Sequence, residues 1–479
     1  MKVLFHVNLR TFLRHFESVV LELASRGHTV RVASAAGRKD VPPPEVLARH
    51  ERISFLEVPD DRSDAWADRI VQFRMWRDYL RYLDKRFDNA PKLRARTVRK
   101  LAATITEHER THLVGWCPQC EGRLVDNDIG VLFRTGLSKK GFNNLRGLFA
   151  LMEDTIPSDP AIDALLHQEQ PDVLVITPLI KLASQQPEFV KSARHLGIPV
   201  VFPVFSWDNL STKGLVHVQP DSVLVWNERQ RVEAVEMHQV PADRVAVTGA
   251  ARFDEFFAMT PRTTRDEFCQ SYGLDARQPI ISYLCSSEFV AGHEFDFVQR
   301  WIAEIRQVPT LHHCNVLIRP HPRRMKSWKA YKASQPCIAV SMPQGMNGDQ
   351  LLFDTVHHSA AVVGLNTSAE LEAGIVGRPV LTVLAPESSG GQRGTLHFDY
   401  LLKDHGGFVQ LAPDMDVHRQ QLAAAVAGDY DADAIRTFVR EFLRPHGIDR
   451  PVTPIVADAI EMAAATPAGA RQHLATQPG

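Results

Sequence analysis

Two stretches in the second half of this 479-residue chain have the residue types and spacing to hold an anion. One runs Val363-Gly364-Leu365-Asn366-Thr367-Ser368-Ala369-Glu370-Leu371-Glu372 and closes at Gly377-Arg378-Pro379. An apolar strand gives way there to small polar residues that open a helix. Thr367 and Glu370 have capping-box spacing, and Gly377 stops the helix before the next strand. Such a turn leaves backbone N–H groups and the positive end of the helix dipole at the carboxyl edge of a sheet, so Asn366, Thr367 and Ser368 read as an anion site. Glu372, two residues past the cap partner, reads as an acceptor for ribose hydroxyls. An ordinary β-α-β unit with a good cap is the plainer alternative. The other stretch is Leu317-Ile318-Arg319-Pro320-His321-Pro322-Arg323-Arg324. Its prolines stiffen a loop directly after a strand and rule out a continuing helix. Arg319, His321 and Arg323 are therefore held at a strand end, where guanidinium forks suit phosphate oxygens and open sheets bind diphosphates.

Weaker candidates sit at other strand ends. Ser286-Ser287-Glu288 offers two hydroxyls to a phosphate and one carboxylate for a polar contact, with simple turn chemistry as the alternative. His397 follows the glycine-rich stretch Ser388-Ser389-Gly390-Gly391, expected to be a flexible loop able to close over a ligand's diphosphate or sugar. In the first half, Phe205-Ser206-Trp207-Asp208-Asn209 is polar with one large aromatic, where a ligand-facing loop is expected. Asp208 could bind an acceptor hydroxyl or act as a base, and His15, expected near the start of the first helix, could deprotonate an attacking hydroxyl. A structured turn and a surface histidine are the bland readings of these two. Cys117-Pro118-Gln119-Cys120 is half a zinc motif with no second half, so no metal site is expected. There is no GxGxxG after the first strand, no P-loop lysine motif and no GxSxG elbow.

The elements that must position these residues follow a β-α-β grammar. Residues 2–7 read as a strand, 12–25 as an amphipathic helix ended by Gly27, and 29–33 as the next strand. Near-continuous apolar strands recur at 171–176, 198–202, 221–226 and 244–249, then at 280–284, 315–318, 360–364 and 379–384. Runs of this type belong to parallel sheets covered on both faces. The expected division is a first domain over 1–250, a second over 251–464, whose last element is a helix at 454–464, and a tail at 465–479. Residues 60–160 break the pattern and read as a helical insertion. There Arg69, Arg74, Arg77, Arg81, Lys85, Arg86, Lys92, Arg94, Arg96, Arg99 and Lys100 alternate with Trp66, Phe73, Trp76, Tyr79, Tyr82 and Phe87. The bland reading is a solvated basic face over an aromatic stripe. The sharper one is a docking surface for an anionic acceptor or membrane headgroups.

Composition narrows the classes. With 44% hydrophobic residues the chain can bury two cores, and a formal net charge of -1 argues against a dedicated nucleic-acid binder. Six cysteines without framework spacing fit a reducing compartment. Arg10 and Arg14 break the N-terminal apolar run before it reaches signal-peptide length, and no apolar stretch of roughly 18 residues occurs. A cytoplasmic protein is expected, with any contact to the inner membrane face peripheral and made through residues 69–100.

The opening strand and helix with Gly27-His28-Thr29-Val30 resemble the start of GT-B glycosyltransferases. Arg319-Pro320-His321-Pro322, and Asn366-Thr367-Ser368 through Gly377-Arg378-Pro379, are similar to motifs of non-hydrolysing UDP-N-acetylglucosamine 2-epimerases and CDP-glycerol glycerophosphotransferases. One departure is that Leu371 separates Glu370 from Glu372, where the epimerases pair their acids. The resemblance implies an α/β chain of two Rossmann-like doubly wound domains facing a cleft. It implies an enzyme with a nucleotide-sugar as co-substrate, no other cofactor and no metal, and a saccharide or lipid-linked acceptor. Arg319, His321 and the backbone at Thr367 and Ser368 would then meet the donor's phosphates, and Glu372 its nucleoside. Sugar transfer to a hydroxyl in bacterial surface polysaccharide or glycolipid synthesis is the expected activity. Epimerisation, CDP-glycerol-type phosphotransfer and non-catalytic binding are the alternatives.

Overall fold

The computed structural model describes residues 1–35, 41–105, 139–329, 331, 337–342 and 348–466. The chain forms two α/β units, one of Met1–Arg252 with Arg444–Gly479 and the other of Phe253–Leu443. The expected second domain thus loses its last stretch. The helix Thr453–Ala465 packs in the first unit, where Val456, Ala457 and Ile460 join Val19, Val20 and Leu23 in one core. Arg26 and His28 bind Glu461 there at 2.9 and 2.6 Å.

In the first unit, β1 (Lys2–Val7), β2 (Thr29–Ser34), β3 (Ile53–Glu57), β4 (Val173–Thr177), β5 (Val200–Pro203), β6 (Ser222–Val225) and β7 (Val245–Val247) form a parallel sheet in the order β3-β2-β1-β4-β5-β6-β7. Strand alternation divides the apolar residues between two cores. Val3, Phe5 and Val7 face Leu13, Val19 and Leu23, while Leu4, Leu174 and Ile176 face Phe189 and Val190.

In the second unit, β8 (Ile280–Leu284), β9 (Asn315–Arg319), β10 (Ile338–Val340), β11 (Ala361–Gly364), β12 (Val380–Val383) and β13 (Gln410–Ala412) are parallel in the order β10-β9-β8-β11-β12-β13. The strand order of each sheet reverses once, between β1 and β4 and between β8 and β11. The loops that leave these strand pairs diverge and open a crevice at the carboxyl edge. The strands that sequence reading missed, β3, β10 and β13, all lie at sheet edges and are only partly buried. An edge strand needs no continuous apolar run, so its signal is weak.

The insertion buries the aromatic stripe of Tyr79, Tyr82 and Phe87 as expected, but part of its basic series departs from a solvated face. Arg74, on the helix Ala67–Arg81, is fully buried and bonds Glu153 at 2.7 Å as well as Glu188. Arg62 binds the other oxygen of Glu188 at 2.8 Å, and Arg77 that of Glu153 at 2.8 Å. Arg81 is buried against backbone carbonyls, and Arg96 donates to Thr212 O. These cations are neither a solvated face nor a docking surface. They hold the insertion to its own unit, while Arg69, Lys85, Arg86, Arg99 and Lys100 remain exposed. Among the described residues, no helix is long and apolar enough to cross a membrane.

Candidate functional site

Register builds the carboxyl edge of the second sheet. Leu284 pairs with Arg319 on one side and with Gly364 on the other, so β8, β9 and β11 end in one row. Residues just beyond that row, Ser286, His321 and Asn366, share a single edge at the switch point.

Arg319 is 9% exposed, and its Nη2 donates to Gly348 O at 2.6 Å. Its Nη1 is buried with no hydrogen-bond partner. Burial lowers its pKa, against the neighbouring charges of Asp349 and Glu372 and the Tyr272 hydroxyl. A guanidinium already stripped of water, with one nitrogen unspent, is a ready fork for an anionic oxygen. His321 Nδ1 accepts from Arg323 N at 3.2 Å, which leaves Nε2 to carry the proton of the neutral ring. Arg323 itself is exposed. Arg324, given no role by sequence reading, donates to Ala291 O and, at 2.6 Å, to Gly292 O, joining the loops after β8 and β9.

Asn366 is 3% exposed and sits at φ +76°, a backbone region that asparagine tolerates better than most residues. Its Nδ2 donates to Gly391 O at 2.6 Å and meets Thr395 Oγ1 and His397 Nε2 at 3.4 Å each. Its Oδ1 is buried without a partner. The glycine-rich stretch expected to be a flexible flap is instead packed. Gln392 is fully buried and ties it to the end of β12 through Ala385 N at 3.1 Å and Val383 O at 2.9 Å. Backbone groups beside the sheet satisfy both ends of the amide side chain, so the loop is anchored from within.

The turn after β11 also differs from expectation. The helix Ala369–Ile375 is only seven residues long and begins after Ser368, which makes no side-chain cap. Glu370 folds back instead, accepting from Asn366 N at 3.0 Å. Gly364 leaves room for this, since a Cβ would lie 2.6 Å from Glu370 Oε1 and would have to displace that carboxyl. The loop amides expected to meet an external anion are thus engaged in part by an internal carboxyl. Thr367 and Ser368 remain partly exposed, and Glu372 lies buried beside the Arg319 charge.

The loop after β8 repeats the device. Ser286 N donates to both oxygens of Glu294 at 2.8 Å, with Ser286 fully buried, Ser287 half-buried and Glu288 exposed. Sequence reading missed Glu294, since a glutamate opening a helix looks like an ordinary first-turn acid. Burial pushes Glu294 up to about 8, opposed by the Ser286 N–H and Arg324. Burial also pushes Glu370 up to about 7, against its bonds from Thr367 and Asn366. Both folded values lie above the ordinary 4.5, so the folded unit holds these protons more tightly than the unfolded chain does. The resulting stability is complete below that value and is lost as pH rises through about 7 to 8. The thermal midpoint of the second unit should therefore fall from pH 6 to pH 9, and Glu294→Gln should remove most of the fall above pH 7. A wild-type curve that stays flat over that range would contradict the assignment.

The expected helix 12–25 is broken at Phe16 into a 3-10 turn, Arg10–His15, and a helix, Glu17–Ser25. His15 ends the turn and is buried against Phe205, with ring centroids 5.1 Å apart, instead of lying open on a helix surface. It lines a small pocket with Pro203, Trp226, Thr248 and Arg252. Burial, then Arg252 and Arg14, lowers its pKa well below 6.5, so the ring is neutral near pH 7. Asp208 works within its own turn. Its carboxylate accepts from Ser206 Oγ at 2.7 Å and Thr212 Oγ1 at 3.1 Å, with Lys213 Nζ at 3.5 Å. Cys117 and Cys120 lie outside the described residues. Among the described residues, no group of three or more His, Cys, Asp or Glu side chains could hold a metal ion.

No family model matches the chain, and no curated protein sequence matches it. Solved structures do. A candidate UDP-N-acetylglucosamine 2-epimerase from Listeria monocytogenes is similar over 97% of this chain and 97% of its own, at 10% identity and a TM-score of 0.52. The S. aureus MnaA–UDP co-structure is similar over 96% of each chain, at 10% identity and a TM-score of 0.52. A glycosyltransferase from Rickettsia africae is similar over 97% of this chain and 99% of its own, at 11% identity and a TM-score of 0.49. At such identities the likeness is one of fold. Two parallel α/β sheets of seven and six strands, each with its switch point, and the first two matches along nearly the whole chain give the protein the GT-B fold.

Proposed function

We propose that the protein is a glycosyltransferase that moves a sugar from a nucleotide-sugar donor to an acceptor hydroxyl. The observation that carries the reading is the buried, unpartnered Nη1 of Arg319 at the switch-point edge of the second sheet. Arg319 and His321 would meet the donor's diphosphate, and their positive environment would stabilise it as the leaving group. Asn366, with its Nδ2 fixed and its Oδ1 unspent, would accept a hydrogen bond from the donor. Glu372 would take the ribose hydroxyls, and Thr367 and Ser368 would flank the phosphates. In the first unit, neutral His15 is the better candidate base. Asp208, with its carboxylate bonded inside its turn, suits shaping the acceptor loop.

A thermal-shift screen against UDP, GDP, CDP, CMP and dTDP, with and without EDTA, tests the donor site. A ligand at about 100 times its Kd should stabilise the protein by roughly 2.7 kcal/mol. One nucleotide giving that shift, with EDTA making no difference, is the expected result. No shift with any of them removes the proposal. Conversion of the sugar nucleotide without any acceptor would replace it with epimerisation, a CDP-linked preference would indicate phosphoalditol transfer, and binding without turnover would indicate a sensor.

A further inference from the structure

Loops normally satisfy their backbone with water. Residues 210–217, which run from the one-turn helix Asn209–Thr212 into the connection towards β6, do not. Arg81 Nη1 donates to Lys213 O at 3.0 Å and Gly214 O at 3.2 Å, and its Nη2 donates to Leu210 O. Tyr82 Oη donates to Lys213 O at 2.6 Å, and Arg96 donates to Thr212 O. Asp78 Oδ1 accepts from Leu215 N at 2.7 Å, and Arg77 reaches His217 O at 3.2 Å. From the other side, His238 accepts from Val216 N at 3.1 Å and bonds Leu210 O at 2.7 Å. Gly214 permits the approach, since a Cβ there would lie 2.9 Å from Asp78 Oδ2 and 3.1 Å from Ile180 O.

The clamped residues lead directly to Asp208, because Thr212 and Lys213 are both partners of its carboxylate. We infer that the helical insertion is a positioning device, in which Asp78, Arg81, Tyr82 and Arg96 hold residues 210–217 and, through them, the Trp207-Asp208-Asn209 loop in the geometry an acceptor needs. The acceptor role of that loop rests on the proposed function; the clamp itself does not. A loop that only had to close a connection between β5 and β6 would not require five side chains from a separate insertion. Fixing the carbonyls of a short loop is what a site needs when a reacting hydroxyl must be placed within a fraction of an ångström.

Arg81→Lys, which keeps the charge, and Tyr82→Phe, which keeps the ring, test this in the full chain. Hydrogen exchange of amides 206–217 should speed by about tenfold or more, with β4, β5 and the helix Gln186–His195 unchanged. The nucleotide-induced thermal shift should be unchanged. Nucleotide release from the sugar conjugate of the nucleotide that gives that shift should fall about tenfold in kcat, with donor KM unaltered. Unchanged exchange at 206–217 overturns the inference. So does a faster exchange spread evenly over the first unit, or a loosened loop with full turnover. A wild-type protein that binds no nucleotide defeats the proposed function alone, because the exchange comparison still reads the clamp directly.

Discussion

Arg319→Ala is expected to weaken binding of the preferred nucleotide by about 100-fold or more while leaving the ligand-free protein as stable as before. The two halves of this prediction have one cause. Folding has already taken the guanidinium out of water, to 9% exposure, yet only Nη2 has a protein partner, Gly348 O. Nη1 is left unsatisfied, which is unfavourable in the free protein and favourable when an anionic oxygen arrives. A charge-assisted hydrogen bond is worth roughly 1.5–3 kcal/mol, and two orders of magnitude in Kd is about 2.7 kcal/mol. Arg319→Lys should recover only part of the loss, because an ammonium cannot reproduce the fork. Calorimetric titration of the nucleotide identified by thermal shift, with urea unfolding of the free variants, reads both halves. A Kd within about threefold of wild type, under roughly 0.7 kcal/mol, would put the donor site elsewhere. A large loss of stability instead would make Arg319 a structural residue.

The second large effect lies in the first unit. Arg74→Met should destabilise the protein by about 3–5 kcal/mol, the range for breaking a buried pair from one side. Arg74 is shared by Glu153 and Glu188, which are themselves buried. Removing it withdraws the one side chain, among the described residues, that hydrogen-bonds both carboxylates. Arg62 and Arg77 remain, one on each acid, so the lower end of the range is expected. The acid limb supplies an internal check. Burial alone would raise the Glu153 pKa, but Arg74, then His217 and Arg77, hold it down at about 2. Its contribution is therefore present above 4.5 and lost as pH falls from there towards about 2. In Arg74→Met that acid dependence should shrink along with the stability. A loss below about 1 kcal/mol, or an unchanged acid limb, would show that the network is not what holds the insertion down.

Much of the second unit's layout is legible in the residues themselves. Strands 280–284 and 315–319 announce themselves because a strand buried on both faces must be apolar throughout, and chemistry-bearing residues directly after them must then lie at a sheet edge. That reasoning puts Arg319, His321 and Asn366 at strand ends, where the fold has them. The β-α-β grammar, whose crossovers make neighbouring strands parallel, is why Leu284 can end level with both Arg319 and Gly364. The edge strands β3, β10 and β13 escape such reading because they are half-exposed and can be built from mixed residues.

The direction in which a polar side chain points is not legible in the same way. The arginines of the insertion have the spacing of a solvated face, yet the partners of Arg74 and Arg81 lie 79 to 156 residues away. Local periodicity reports which faces are apolar. It says nothing of a distant carboxylate or an unsatisfied loop carbonyl that makes burying a cation favourable. Glu294 and Glu370 are the same case with the sign reversed. Each looks like a routine first-turn acid, and only the closed sheet edge turns it into a buried carboxyl that holds its proton near neutral pH. The return of the helix Thr453–Ala465 to the first unit is decided by the fit of Val456 and Ile460 against Val19 and Leu23, residues more than four hundred positions away. Sequence by itself therefore determined the central strands, their parallel direction and the residues at their ends, because those depend on local burial. Tertiary structure alone decided which charges are paired, which loop amides are already occupied and which guanidinium nitrogen is left without a partner, because those depend on groups that only folding brings together.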